Sequence, residues 1–180
     1  MKLLLISILV LLTSIITVKD EKSINKLEDA NWMSKNLNVS TFRNGDEILE
    51  IKTSDEWEKA GQSKTPAFCY YKFDSKNETR YGKLYNWYAV SDLRGLAPVG
   101  WHIPTDTEWA TLGTSLGGNS VAGGKLKITG TTYWASPNTG ATNETGFGGL
   151  PGGFRNSDGS FYNILTDGYF WSATTSGSLD

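Results

Sequence analysis

A chain of 180 residues is long enough for one domain with a buried core. Its 17 basic and 19 acidic side chains leave a net charge of −2, which removes the electrostatic case for a nucleic-acid partner. Twenty glycines against five prolines imply many tight turns and few long helices.

After Lys2 the chain opens on an apolar run, residues 3–18. The run is shorter than the roughly 20 residues a membrane span needs, so it reads as a secretory signal peptide, with an uncleaved short membrane anchor as the other reading. No Ala-x-Ala pattern marks a cleavage site, and no cysteine stands there to take a lipid. The protein is therefore expected outside the cytoplasm, secreted or held at the cell surface. Contact with a membrane is expected only through this segment. Residues 19–30 read as a linker and residues 31–180 as the domain.

A first strand is expected over residues 32–39. Asn44-Gly45-Asp46 predicts a turn, with a short strand at residues 47–51. Ser54 is placed to cap a short helix through Trp57 and Ala60, ended by Gly61. Residues 66–73 are aromatic and strand-like. They contain Cys69, the only cysteine, which excludes an intramolecular disulfide and reads as a buried small hydrophobe. A polar turn follows at residues 74–79. Leu84, Trp87 and Tyr88 share one helical face, which predicts a short helix over residues 84–90.

The best-marked local structure is Gly100-Trp101-His102-Ile103-Pro104-Thr105-Asp106-Thr107-Glu108-Trp109. Pro104 keeps Ile103 extended. Thr105 with Glu108 three residues on makes a capping box, so a helix starts there. Trp109, Leu112 and Leu116 lie on its inner face, and Gly117-Gly118 stops it. Residues 122–127 read as a glycine-hinged strand, and residues 134–149 as a long polar loop. A hairpin is expected from residues 152–155 and 160–164 about Asn156-Ser157-Asp158-Gly159. Asp167-Gly168 then turns the chain into a third strand at residues 169–174. Short helices early and an antiparallel meander late predict an α+β fold.

No Gly-x-Ser-x-Gly, phosphate loop or His-x-x-x-His occurs, and His102 is the only histidine. Asp106 and Glu108 fit a helix start better than a catalytic pair. A non-catalytic domain is expected. Sugar faces stack on aromatic rings, and polar side chains bond sugar hydroxyls. Trp134, Asn138, Asn143, Glu144, Arg155, Asn156 and Asp158 supply both in loops, so a glycan is the first candidate partner. Among them Asn138, Asn143, Glu144 and Asp158 offer hard oxygen donors, which makes calcium the one cofactor to consider. Trp101, Trp109 and Trp171 are expected in the core, and Trp134 exposed.

Several blocks resemble the Fibrobacter succinogenes major paralogous domain. They are Asn31-Trp32-Met33-Ser34-Lys35-Asn36-Leu37, residues 81–90, residues 98–109, Ala122-Gly123-Gly124-Lys125-Leu126-Lys127, residues 143–147, Leu150-Pro151-Gly152-Gly153-Phe154-Arg155 and Tyr169-Phe170-Trp171-Ser172-Ala173-Thr174. The resemblance implies a surface or secreted protein. Its helix-start block is also similar to that of formylglycine-generating enzymes and the wider C-type-lectin-like fold. Those enzymes hold copper with two cysteines, which one cysteine cannot supply. The sugar-binding triplets of calcium-dependent lectins are absent too. Members of the family run on past the Trp-Ser block, so the resemblance implies a domain short of its last strand. The expected role is recognition of a polysaccharide, with a structural or adhesive module that binds a cell-surface protein as the alternative.

Overall fold

Two capping boxes and one buried asparagine set three of the helix starts among the described residues. The computed structural model describes residues 24–27 and 30–175. The apolar run expected as a signal peptide and the last five residues lie outside them. No helix among the described residues is long and apolar enough to cross a membrane.

Strands β1 (Ile24–Leu27) and β2 (Ala30–Met33) pair antiparallel. The strand expected over residues 32–39 thus lies earlier, and β1 falls in the stretch read as linker. A mixed sheet follows in the order β3 (Leu49–Glu50), β4 (Ala67–Cys69), β5 (Leu84–Tyr85), with β3–β4 parallel and β4–β5 antiparallel. Helix α1 (Ser54–Gln62) makes the crossover. Its cap is Thr53, not Ser54. Thr53 Oγ1 accepts from Glu56 N–H at 3.2 Å, and the Glu56 carboxylate accepts from Thr53 N–H at 3.1 Å. Gly61 stays inside the helix. Trp57 and Ala60, three residues apart, bury against Ile51, Ala67 and Cys69.

The strand expected over residues 66–73 is only three residues long. Lys72 and Phe73 adopt φ of 54° and 57° and turn the chain into two short 3₁₀ turns, Tyr71–Phe73 and Ser75–Asn77, before helix α2 (Glu78–Tyr81). The helix expected from residue 84 starts later. Asn86 caps α3 (Trp87–Val90) through Ala89 N–H at 3.0 Å, and its Oδ1 also accepts from Ala67 N–H at 3.0 Å. One side chain thereby ends β5 and starts α3. Phe42, Ile48, Phe68, Tyr70, Tyr85, Val90 and Leu96 form the core on this side.

Helix α4 (Asp106–Ser115) begins as expected, capped by Thr105 with Glu108 as its box partner. Residues 119–126 are not a strand. They form helix α5 (Asn119–Leu126), entered through Gly118 at φ 95°. Ala122 and Leu126 pack with Leu112 of α4 and Leu116 at its C-cap, and that burial outweighs the glycines' weak helix propensity. The hairpin is present as β6 (Gly152–Arg155) and β7 (Phe161–Ile164), in register Phe154↔Tyr162. The third strand of the meander does not form. A single bridge joins Gly153 to Gly168, and Ala173 N–H donates to Pro104 O at 2.8 Å instead. The fold is α+β, with short helices and small sheets.

Candidate functional site: an aromatic cleft

Tyr169, Phe170 and Trp171 are consecutive, and a strand would send them to alternate faces. Here each ring joins a different aromatic group. Tyr169 lies 4.7 Å from Phe154, which stacks on Tyr162 at 5.4 Å. Phe170 meets Phe147 at 5.4 Å and Trp109 at 5.8 Å, and Trp109 lies 4.7 Å from Trp32. Trp171 lies 5.8 Å from Trp87. Between these groups opens a cleft of about 800 Å³, a volume usual for ligand sites.

Its walls come from distant parts of the chain: Trp32 and Met33 of β2, Leu84 and Tyr85 of β5, residues 100–104 with Glu108 and Trp109, Gly152 and Gly153 of β6, and residues 169–171. Trp171 is the clasp. Its indole N–H donates to Tyr85 O at 2.9 Å, and its carbonyl accepts from Trp109 Nε1 at 3.1 Å. Trp171 is nonetheless 46% exposed, so its expected burial does not hold. Trp101 and Trp109 are half-buried.

Lys35 aside, the charged groups at the cleft are already engaged. Glu108 Oε2 accepts from Thr105 N–H at 2.8 Å, and Oε1 bonds His102 Nε2 at 2.7 Å. Those bonds, the Thr105 one foremost, hold its carboxyl below the usual range. The Lys83 ammonium is buried over the Phe68 ring at 5.0 Å, bonds Asn38 Oδ1 at 2.8 Å and pairs with Glu78 at 3.1 Å. What the cleft presents to a ligand is mainly aromatic and aliphatic surface.

The Fibrobacter succinogenes major domain family matches residues 26–180. The chain belongs to that family. No curated protein and no solved structure matches it.

Within this family domain most of the residues expected to bind a glycan also hold local structure, while the Asn156 side chain stays exposed. Trp134 is 8% exposed, against expectation, with its indole N–H on Gly149 O at 3.0 Å. Asn138 donates to Ile128 O and Gly130 O at 3.0 and 2.7 Å. Asn143 accepts from Gly148 N–H at 2.8 Å, and Glu144 pairs with Lys125 at 2.9 Å. Arg155 lies over the rings of Phe73, Phe161 and Trp57 at 4.2, 4.3 and 4.8 Å, and its Nη1 reaches Cys69 Sγ at 3.6 Å. Asn156 O accepts from Trp57 Nε1 at 3.0 Å, and Asp158 accepts from Ser160 N–H at 2.8 Å. The loop residues and the turn residues thus sit in separate networks. Among the described residues no three His, Cys, Asp or Glu side chains gather to hold a metal.

None of the expected ligand residues lines the cleft. Of the helix-start motif, Gly100, Trp101, Pro104, Glu108 and Trp109 do. The missed signal was three adjacent aromatics at residues 169–171, which cannot all face one core.

Proposed function

We propose that this chain is a non-catalytic recognition module, secreted or surface-held, whose cleft takes an extended segment of another polypeptide. We read its α+β arrangement as C-type-lectin-like in outline, on the strength of the residue 98–109 block. The observation that carries the function is the cleft lining. Leu84, Leu96, Ile103 and Leu112 stand among the aromatic rings there, and the charged neighbours Lys83 and Glu108 are already paired. Such walls suit apolar side chains and, beside Lys35, Asn36, Thr111 and Ser115, offer sugar hydroxyls few partners. The adhesive-module reading therefore stands ahead of the glycan one.

The test is a fluorescence titration of the full chain with a library of octapeptides alternating apolar and small polar residues. A panel of plant and bacterial polysaccharides serves as competitor, with and without calcium. Saturable binding by library members, undisturbed by the polymers, is expected. Met33→Glu, which sets a carboxylate on the cleft wall, should weaken it at least about tenfold with little change in melting temperature. Displacement by a polysaccharide, or saturable binding of one where no peptide binds, would turn the assignment to glycan recognition.

A further inference from the structure

One wall of the cleft is the edge of a sheet. In the order β3-β4-β5, strand β5 has a neighbour on one side only among the described residues. Asn86 N–H donates to Ala67 O at 3.0 Å, which makes Asn86 and Ala67 a hydrogen-bonded position of the antiparallel ladder. The next pair, Tyr85 and Phe68, is then a non-hydrogen-bonded one, so the Tyr85 N–H and C=O point away from β4. Tyr85 lines the cleft, and what meets its carbonyl there is a side chain, the Trp171 indole at 2.9 Å. An indole N–H in that place substitutes for the backbone donor of a neighbouring strand. Trp171 is 46% exposed, and the Trp87 ring it lies against is only half-buried.

From this we infer that the cleft binds its polypeptide by strand addition to β5, the incoming backbone displacing the Trp171 indole from Tyr85 O. The inference rests on the peptide reading above and specifies its mode. A strand laid along β5 donates an N–H to Tyr85 C=O and accepts the Tyr85 N–H. Its side chains then alternate, one set directed among the apolar walls and the other away from them. The recognised segment is therefore extended, free of proline at the paired positions, and apolar at every second residue. Because a one-residue slip would turn the apolar set outward, the register is fixed.

The experiment uses the best library octapeptide and two derivatives, one N-methylated at the odd residues and one at the even residues. Every second N–H of a strand faces the same edge. One derivative should lose at least about tenfold in affinity, and the other should bind nearly as the parent does. Trp171→Phe keeps the ring and removes the competing donor, so it should tighten the parent peptide about threefold to tenfold. Exchange of the Tyr85 amide, followed by NMR, should slow at least about tenfold on binding. If both methylated peptides bind like the parent, or Trp171→Phe changes nothing, strand addition is overturned while peptide recognition stands. If no library member binds, the reading of the cleft itself fails.

Discussion

Glu108 makes two kinds of bond at once. Oε2 accepts from Thr105 N–H and Oγ1 at 2.8 and 2.9 Å, and Oε1 holds His102 at 2.7 Å. Removing the reciprocal half with Thr105→Ala should cost about 1 kcal/mol in urea unfolding, as N-cap truncations do. Its carboxyl sits below its ordinary value of 4.5, through the Thr105 backbone bond first and His102 second. A lowered folded value means that the unfolded chain binds the proton more readily. Its contribution is therefore whole above that ordinary value and is lost as pH falls through the lower folded one. Unfolding midpoints followed between about pH 3 and 6 should fall less steeply for Glu108→Gln than for the parent. Equal slopes would mean that the carboxylate carries no such load. Cys69 shows the opposite effect of surroundings. It is fully buried, and desolvation pushes its thiol up to about 11 despite the Arg155 guanidinium. An aromatic disulfide reagent at about pH 8 should leave the native chain untouched and react promptly once denaturant is added, because the thiolate is the nucleophile. Rapid modification of the folded protein would contradict that burial.

Helix α5 separates two neighbouring glycines. A Cβ added at Gly123 meets nothing within 4 Å, whereas one added at Gly124 runs into the Gly140 backbone. Gly123→Ala should therefore stabilise by roughly 0.5–1 kcal/mol through helix propensity alone. Gly124→Ala should destabilise by about 1–3 kcal/mol, since the backbone it strikes cannot step aside. Thermal melts of the two variants decide this, and a stabilised Gly124→Ala would mean that the loop at Gly140 yields. The same helix shows where sequence reading stops. The start of α4 at Thr105 and the Asn156–Gly159 turn were legible because their bonds close within a few residues. The start of α1 was equally legible in Thr53-x-x-Glu56, although the neighbouring Ser54 drew the assignment one residue off. Helix α5 was not, because Ala122 and Leu126 find their partners on α4, and the local glycines argue for extension. The third strand of the meander failed for a like reason: the rings of residues 169–171 pack on Phe154, Trp109 and Trp87, far apart in the chain. The cleft inherits that difficulty, since its walls are assembled from residues 32–171.

The molecule divides into a tight side and a loose side. Around β4, Ala67 and Cys69 have no exposed surface, and the Ile51 and Asn86 amides donate into that strand at 2.8 and 3.0 Å. Residues 169–175 are mostly exposed and are fastened by side-chain and single backbone bonds, Ala173 N–H to Pro104 O at 2.8 Å and Asp106 N–H to Thr174 Oγ1 at 3.0 Å among them. The rings this segment packs on are mostly half-buried, so its opening needs much less free energy than global unfolding. Strand addition demands this asymmetry, because Trp171 must leave Tyr85 while β5 stays in place. Hydrogen exchange on the free chain should then show the Ala173 amide at least about tenfold less protected than those of Ile51 and Asn86. Addition of the octapeptide should leave the β4 amides unchanged and slow Tyr85. Equal protection at Ala173 and Ile51 would mean that residues 169–175 fold and unfold with the core as one unit. Trp171 would then not be free to leave Tyr85 in the native state, and the cleft would be a closed seam between sheets.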